Sequence, residues 1–242
     1  MKSNKKPKLF LTGAGGFLGQ GIAKSLENDY DLHLCDIKDF ESNHKKFIGD
    51  VSDPQFCNSS LKGMDYLVIA HMFPRPNDKP FGPYNANVTG TANLCYAAKL
   101  CGIKKICLIS SVDVLKFNRN LKKGELPHGG DIYSSTKVCQ EIVAQSMSIE
   151  FELDIKALRI GYVVDFNSLQ NKYGRSVSSP SNGMIDRYDC GEAIAKTLQL
   201  NYNTYETFHI YSIADPIIAP EAVEAWEKLN WHPQEKLLTV SH

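Results

Sequence analysis

The residues with the clearest chemical use in this 242-residue sequence are a tyrosine and a lysine, Tyr133 and Lys137, spaced four apart. On a helix this spacing puts both side chains on one face. An ammonium beside a phenol lowers the phenol pKa from its usual value of about 10, so the tyrosine becomes an acid or base near neutral pH. Ser111, followed by Val112, ends an apolar run and could hydrogen-bond a substrate carbonyl. A tyrosine and a lysine at this spacing are common at exposed helix starts, so the prediction depends on the other motifs.

A glycine-rich turn lies near the start of the chain, with Gly13, Gly16 and Gly19 at intervals of three. It stands between a strand pattern and a helical pattern, which is the context of a dinucleotide-binding turn. Gly13 supplies the tight turn, Gly16 lets the backbone approach a pyrophosphate at the helix N-terminus, and Gly19 lets the helix pack on the sheet. The adjacent Phe17 and Leu18 belong to the same predicted cofactor site.

An acidic residue, Asp36, ends the second apolar run at the distance such a turn requires. Its carboxylate could accept hydrogen bonds from the adenosine ribose and would repel a 2′-phosphate. This predicts NAD rather than NADP as cofactor, although Lys38 could soften the preference. Asp50 and Val51, after the third run, are predicted to flank the adenine. The alternative is that Asp36 is a surface residue that only ends a strand.

The hydrophobic pattern of the sequence predicts the fold that would position these residues. Short apolar runs alternate with helical patterns, which predicts a doubly wound parallel sheet of the Rossmann type, an α/β fold. The predicted strands are 8–12, 31–35, 46–49, 65–70, 105–109 and 154–159, and the predicted helices between them include 16–26, 84–100 and 131–149. A polar loop or lid is expected at 165–187, followed by a helix at 188–200, an apolar run at 208–213 and a helix at 220–229.

The chain is therefore expected to divide into a dinucleotide-binding part, 1–165, and a small substrate-binding cap, 166–242, that is not an independent domain. Lys and Arg balance Asp and Glu at 27 each, which argues against bulk binding to nucleic acid or an anionic membrane. No apolar run is long enough for a membrane span, and the basic N-terminus lacks the apolar stretch of a signal peptide. Seven scattered cysteines without a CxxC pair predict reduced thiols in the cytoplasm and no metal site.

Taken together, the motifs resemble those of the extended short-chain dehydrogenase/reductases. The resemblance runs from about Leu9 to Tyr162, and more faintly to Leu200. It is carried by 12–19, Asp36, 49–51, 87–94, 110–111, Tyr133 with Lys137, and 158–159. It implies that Ser111, Tyr133 and Lys137 are catalytic, that the lysine also holds the nicotinamide ribose, and that hydride passes to or from the nicotinamide. It implies too that Asn87 supports the active-site helix within the cofactor site.

The sequence departs from this family pattern at a few positions. Small residues are usual after the fourth strand, where Ala70 is followed by His71. His71 is therefore a candidate contact of the nicotinamide or the substrate, with a harmless replacement as the alternative. Leu115 stands where many nucleotide-sugar epimerases have tyrosine, and Gly161 where they usually have asparagine.

The short cap suggests a small, sugar-derived substrate. The compact length, the run 159–161 and the ending 229–233 are similar to uronate dehydrogenases, which oxidise the anomeric carbon of a hexuronic acid with NAD. Arg159 could then bind the substrate carboxylate in bidentate fashion, or it could pair with Asp165 or Asp189 to hold the cap.

Two other functions stay open: a nucleotide-sugar epimerase or dehydratase that retains its NAD, and a non-catalytic NAD(P)-sensing regulator. Retention of all three catalytic residues argues against the regulator. The resemblance further implies a homodimer formed through the helices at 84–100 and 131–149. Val138, Ile142 and Val143 fit such an interface, but core packing explains them equally well.

Overall fold

Strands and helices alternate along much of the computed structural model, which describes residues 5–73, 81–116, 131–201 and 204–233. In chain order the elements are β1 (Lys8–Thr12), α1 (Phe17–Leu26), β2 (Asp31–Asp36), β3 (Lys45–Ile48), α2 (Pro54–Ser60), β4 (Tyr66–Ile69), a π-helix (Tyr84–Thr89), α3 (Gly90–Cys101), β5 (Lys105–Ser111), a 3₁₀ helix (Val112–Lys116), α4 (Ile132–Phe151), β6 (Asp154–Ile160), β7 (Tyr162–Asp165), β8 (Gln170–Asn171), β9 (Met184–Asp186), α5 (Arg187–Gln199), β10 (Glu206–Ile210) and α6 (Pro220–Leu229).

Seven of these strands form one sheet in the order β3-β2-β1-β4-β5-β6-β10, and every neighbouring pair is parallel. The prediction of a Rossmann-type α/β fold is confirmed. The strand order reverses between β1 and β4, so a crevice opens beyond the carboxyl ends of these strands. The glycine turn after β1 and the ends of β4 and β5 therefore border the same crevice.

The core lies in two apolar layers, one on each face of the sheet. Leu9 and Leu11 point into the layer covered by α1, α5 and α6, whereas Phe10 points into the layer covered by α2, α3 and α4. All three side chains are fully buried, as expected for a parallel strand with helices on both faces.

Two short strands interrupt the loop or lid predicted at 165–187 and form a second, small sheet with β7. Strand β7 pairs antiparallel with β8 and parallel with β9. The sequence did not reveal β8 and β9 because they are only two and three residues long and depend on pairing with β7. Strand propensity over so few polar residues carries little information.

Some elements after residue 165 pack on the main sheet. The predicted cap, 166–242, contains α5, which packs on α1, and β10, which extends the main sheet beside β6. Ile194 of α5 and Phe208 of β10 belong to the same apolar layer as Leu9. Burial of these apolar side chains makes both elements part of the main-sheet core, and the division into a dinucleotide-binding part, 1–165, and a cap, 166–242, stays a prediction.

Two helical elements were missed or misassigned. Helix α2 begins at Asp53, whose side chain accepts a hydrogen bond from the backbone N–H of Gln55, with Pro54 at the first helical position. This is a standard start signal, but the helix is only seven residues long. The predicted helix at 84–100 opens with one π-helical stretch, which hydrophobic spacing over six residues does not distinguish from α-helix.

Three further features of the described residues concern the cysteines, metal binding and membrane spans. All seven cysteines are unpaired, and five of them are buried. Within the described ranges no group of three or more His, Cys, Asp or Glu side chains is arranged to hold a metal ion. No helix in that part of the chain combines the length and apolar character that crossing a bilayer requires.

Candidate active site

The glycine turn packs tightly against backbone on two sides. Gly13 has φ +71°, and a Cβ there would lie 2.7 Å from the Cα of His71. A Cβ on Gly19 would lie 2.1 Å from the Gly13 carbonyl oxygen. Glycine is therefore required at both positions, as the sequence predicts, because a side chain would separate α1 from the turn.

The N-terminus of α1 is arranged to receive an anion. Gly16 is the N-cap and provides no side-chain hydrogen bond to the first turn. A Cβ on Gly16 would have one neighbour within 4 Å among the described residues, the Gly13 oxygen at 3.3 Å. The N–H groups of Phe17 and Leu18 open the helix at this point, and helix N-termini of this kind bind phosphate groups.

Asp36 lies at the other side of the turn. Its Oδ2 accepts a hydrogen bond from the N–H of Gly15 at 3.0 Å, and its Oδ1 accepts one from the N–H of Lys38 at 3.3 Å. The carboxylate is thus fixed at the end of β2, beside the glycine turn, where it suits a ribose hydroxyl. Open backbone at Gly16 together with this carboxylate fits a dinucleotide.

Asp50 and Val51 follow β3 at the next position along the crevice. Asp50 caps a turn by accepting from the N–H of Ser52, and Val51 is buried against Gly90, the first residue of α3. The carbonyl of Val51 accepts from the side chain of Asn93. Their role beside the adenine stays a prediction.

Helix α4 carries the predicted acid–base pair, Tyr133 and Lys137. The side chain of Asp131 caps it by accepting from the N–H of Ser134 at 2.7 Å, which places Tyr133 in the first turn and Lys137 in the second. Lys137 is buried, and its Nζ donates to the carbonyl of Ile109 on β5 at 2.8 Å. Burial lowers the pKa of Lys137 to about 7, while the nearby carboxylate of Glu141 acts in the opposite direction.

Ser111 meets this helix at the end of β5. It is the last residue of the strand, is buried, and its Oγ accepts from the N–H of Asp113 at 3.1 Å. Val112 begins the 3₁₀ helix directly after it. Because Lys137 reaches the carbonyl of Ile109, the start of α4 and Ser111 border the same end of the sheet.

Asn87 braces the catalytic helix from the π-helix. Its side chain is fully buried, and its Nδ2 donates to Thr136 Oγ1 at 2.9 Å. The Thr136 hydroxyl in turn donates to the carbonyl of Tyr133. Asn87 also accepts from the N–H of Phe73, so it joins the segment after β4 to α4. This is the supporting position that the resemblance implied, and direct contact with the cofactor stays a prediction.

His71 uses both ring nitrogens within the protein. Its Nε2 lies 2.8 Å from the carbonyl oxygen of Ala86, and its Nδ1 lies 2.9 Å from the Thr12 hydroxyl. A carbonyl only accepts, so Nε2 carries the proton and Nδ1 accepts from Thr12. Burial lowers the His71 pKa to about 4, so the ring is neutral near pH 7. Neighbouring Ala70 also bonds Thr12, through its N–H. Contact of His71 or Ala70 with cofactor or substrate stays a prediction.

Arg159 pairs with Glu141, a partner that the sequence reasoning missed. Its Nη2 donates to Glu141 Oε2 at 2.7 Å and its Nε to Oε1 at 3.0 Å. The Ser110 and Tyr205 hydroxyls donate to the same carboxylate. The sequence did indicate that Glu141 lies on the same helix face as Lys137, because the two residues are four positions apart.

This pairing changes the interpretation of Arg159. The predicted ion pair with Asp165 or Asp189 is wrong, since Asp165 instead lies 3.3 Å from Arg187. Glu141 lies about 12 Å along the helix axis from Tyr133 at 1.5 Å per residue, so the ion pair holds the Arg159 guanidinium at a carboxylate about two turns further along α4. Binding of a substrate carboxylate by Arg159 stays a prediction that this geometry does not favour.

The small cap approaches the end of β6 at Gly161. A Cβ on Gly161 would lie 1.9 Å from the carbonyl oxygen of Gly183. That carbonyl accepts a hydrogen bond from the N–H of Tyr162 at 2.9 Å, which fixes β9 against β7. No side chain fits at position 161.

Comparison with known proteins agrees with this geometry. Residues 9–180 match the NAD dependent epimerase/dehydratase family. The chain belongs to that family. The prediction of an enzyme related to the extended short-chain dehydrogenase/reductases, with a nicotinamide cofactor, is thereby confirmed.

Individual relatives of this family member differ in reaction. It is 23% identical over 230 residues to the NAD-dependent glucose-6-phosphate dehydrogenase of Haloferax volcanii, covering 86% of this chain and 85% of that one. Uronate dehydrogenase from Agrobacterium tumefaciens has a similar structure, with a TM-score of 0.72, 19% identity and coverage of 95% of this chain and 85% of that one. For UDP-N-acetylglucosamine 4-epimerase from Methanobrevibacter ruminantium M1, crystallised with UDP-N-acetylmuramic acid, the TM-score is 0.69, identity 21% and coverage 86% and 77%. At these identities the structural likeness shows the fold.

Proposed function

We propose that this family member is an NAD-dependent oxidoreductase that interconverts a small sugar-derived alcohol, such as a hexose or a hexuronic acid, and its carbonyl form. The observation that carries the proposal is the backbone contact at Gly161. Nucleotide-sugar enzymes of the resembling family usually place an asparagine side chain there, and the Gly183 carbonyl occupies that space here. A site without this polar group, under a small cap, is better suited to a sugar than to a nucleotide sugar.

The protein's own residues supply proton transfer and charge stabilisation. Bound NAD accepts or donates the hydride. In the oxidative direction Tyr133 takes the hydroxyl proton, and the positive charge of Lys137 stabilises the phenolate that does so. Ser111 donates a hydrogen bond to the same substrate oxygen. The glycine turn and α1 hold the pyrophosphate, and Asp36 holds the ribose.

NAD is the proposed cofactor rather than NADP because of Asp36. Its carboxylate is fixed by two backbone N–H groups, so it cannot turn away from a 2′-phosphate without breaking both hydrogen bonds. We expect kcat/KM for NAD to exceed that for NADP by about 100-fold or more, since about 3 kcal/mol separates a hydrogen bond from a charge repulsion. Equal values would contradict this assignment.

The test is NADH formation, followed by absorbance, across a panel of aldoses, uronic acids and sugar phosphates. We expect turnover with one of these classes, and a loss of about 100-fold or more in kcat for Tyr133→Phe with NAD affinity retained. Tyr173→Phe, an exposed residue of the cap, is the matched control. Intact NAD binding without turnover on any substrate would overturn the proposal.

A nucleotide-sugar epimerase is the second candidate, favoured by the structural likeness to the UDP-N-acetylglucosamine 4-epimerase. Calorimetric titration with UDP and product analysis with a UDP-sugar panel separate the two. We expect neither UDP binding nor sugar inversion. Tight UDP binding with inverted product would replace the dehydrogenase proposal.

We also propose that the enzyme is a cytoplasmic homodimer. All seven cysteines are unpaired, which suits a reducing compartment. Large apolar side chains are exposed on the outer faces of α3 and α4, among them Leu100, Ile142 and Ile149. Ile142 was equally consistent with core packing in the sequence, and its 55% exposure favours the interface.

A further inference from the structure

The ammonium of Lys137 is buried among neutral acceptors. Its side chain is 3% exposed, and its Nζ donates to the Ile109 carbonyl and to the side-chain oxygen of Gln140, both at 2.8 Å. No carboxylate among the described residues lies within hydrogen-bond distance of it. A buried charge without a counterion is costly, so the acceptors that remain determine where it points and whether it stays protonated.

Gln140 is itself fixed by a second contact. It is fully buried, and its Nε2 donates to Thr91 Oγ1 on α3 at 2.7 Å. Lysine has only donors, so the amide oxygen must face Lys137 and the amide nitrogen must face Thr91. A hydrogen-bonded chain therefore runs from α3 through α4 to the carboxyl end of β5.

Packing alone does not explain a glutamine at this position. The site lies between α3 and α4, where Leu94 and Ala144 are fully buried apolar residues. A leucine or methionine would fill a similar volume without the cost of burying an amide. Both polar ends of the amide are hydrogen-bonded, since its oxygen accepts from Lys137 and its nitrogen donates to Thr91.

We propose that Gln140 is a positioning residue, which holds the protonated amine of Lys137 toward Ser111 and the end of β5, while Thr91 fixes the orientation of its amide. The inference rests on the proposed function, since it deepens the role of Lys137 as partner of Tyr133.

The other charged and titratable groups around Lys137 do not replace this contact. On its own helix are Tyr133 and Glu141, and the Glu141 carboxylate is occupied by Arg159 of β6. His71 faces it from the segment after β4 as a neutral ring. Two further titratable groups among the described residues are Asp113 of the 3₁₀ helix and Tyr205, which donates to Glu141.

The sign of the effect follows from these contacts. Burial already lowers the Lys137 pKa to about 7, and an acceptor favours the charged form. Replacing Gln140 by methionine removes the acceptor, so the lysine loses its proton at lower pH. A neutral lysine no longer stabilises the Tyr133 phenolate, and the pH at which the tyrosine can act as base rises.

The decisive experiment is a carbon-13 NMR titration of the Lys137 side chain in the full-length protein without substrate, with Lys137→Arg to assign the signal. In Gln140→Met we expect the midpoint to fall by about one pH unit or more, and in Gln140→Glu to rise above that of the wild type. Thr91→Val should shift it in the same direction as Gln140→Met, by less. Gln145→Met, on the exposed side of α4, is the matched control and should leave it unchanged.

Kinetics provide the second readout. We expect kcat of Gln140→Met near pH 7 to fall by about tenfold with KM for the sugar nearly unchanged, and its pH profile to shift to higher pH. Gln140→Glu should restore the wild-type rate. If Gln140→Met is not stably folded, the NMR titration and the kinetics of Thr91→Val test the proposal instead.

The outcomes distinguish this inference from the proposed function. Wild-type midpoints and superimposable pH profiles in Gln140→Met and Thr91→Val would overturn the positioning role, and Gln140 would then be a packing residue. The expected NMR shifts in a protein that turns over no sugar would leave Gln140 as the residue that positions Lys137 and would overturn the proposed reaction alone.

Discussion

At the scale of single residues, the site contains titratable side chains that are buried before any ligand is bound. Lys137 has lost most of its solvent, and its pKa falls to about 7. His71 is held between Thr12 and Ala86 in a single tautomer, with its pKa lowered to about 4. Each side chain therefore has a defined protonation state that the surrounding contacts set, and each makes folding depend on pH.

The first prediction concerns acid stability and His71. Its pKa lies below the ordinary 6.5 in the folded protein, so between about pH 6.5 and pH 4 the unfolded chain binds the proton and the free energy of unfolding falls as pH falls. His71→Gln keeps a donor for Ala86 but does not titrate. We expect its free energy of unfolding to fall by about 2 kcal/mol less than that of the wild type between pH 6.5 and 5, measured by urea denaturation. The same fall in both proteins would contradict the assignment, and comparison at pH 8 separates any direct loss of packing.

At the scale of elements, two glycines at the start of α1, Gly16 and Gly19, have different steric surroundings. Gly19 is surrounded by backbone, since a Cβ there would lie 2.1 Å from the Gly13 oxygen and 2.7 Å from the Ala14 Cα. Gly16 has an ordinary φ of −76°, and a Cβ there would meet one described neighbour within 4 Å, the Gly13 oxygen at 3.3 Å. We therefore expect Gly19 to be needed for folding and Gly16 to be needed for the proposed cofactor.

The second prediction is that alanine substitutions at Gly19 and Gly16 differ in their effects on stability and on NAD binding. Gly19→Ala should lower the free energy of unfolding by about 2–3 kcal/mol because backbone cannot yield cheaply to the added methyl group. Gly16→Ala should change it by less than about 1 kcal/mol but weaken NAD binding about tenfold, since the methyl group enters the space for the pyrophosphate. Urea denaturation and calorimetric titration with NAD measure both effects. NAD affinity at the wild-type level in Gly16→Ala would contradict the proposed pyrophosphate site.

A second pair of elements, α4 and β6, is joined by an ion pair in addition to apolar contact. The side chains of Glu141 and Arg159 are 10% and 22% exposed, and the Ser110 and Tyr205 hydroxyls complete the carboxylate's hydrogen bonds. Removal of one partner would leave an uncompensated charge next to the catalytic helix.

The third prediction follows from this ion pair. Glu141→Met should lower the free energy of unfolding by about 3 kcal/mol, and adding Arg159→Met should recover about half of the loss because no charge is then left unpaired. Urea denaturation of the two single variants and the double variant provides the cycle. Lys24→Met, which breaks an exposed pair with Glu27, is the control and should have little effect. Additive losses in the double variant would contradict the coupling.

At the scale of the whole molecule, the two faces of the sheet are covered to different degrees. On one face α5 and α6 add to α1, so the C-terminal part of the chain completes the core. On the other face α3 and α4 pack on the sheet and expose large apolar side chains outward, with Ile149 75% exposed. A surface of this kind marks a contact with another protein more often than with water.

The fourth prediction is the oligomeric state. We expect light scattering to give about twice the chain mass of 27.0 kDa, and Ile142→Glu combined with Ile149→Glu to give the monomer. Ile217→Glu, at a still more exposed position between β10 and α6, is the control and should remain dimeric. A monomeric wild type, or a dimer that persists in the double variant, would contradict the proposed interface.

The sequence by itself determined the features that depend on short spacing. Three glycines at fixed intervals, an acid at the end of β2, and a tyrosine four residues before a lysine each need only one local element to place them, because helix and strand geometry fix which neighbours share a face. Alternation of apolar runs with helical patterns was sufficient for the parallel sheet.

Only the tertiary structure decided which side chains meet across elements. The sequence suggested that Arg159 binds a substrate carboxylate or pairs with an aspartate of the cap, but in the structure it pairs with Glu141. Nothing in the sequence pattern singled out Gln140, which links Thr91 to Lys137. The polar stretch after Asp165 was expected to be a loop, and it contains strands that exist through pairing with β7. Such contacts depend on register and on the packing of residues far apart in the chain, and local periodicity contains no information about either.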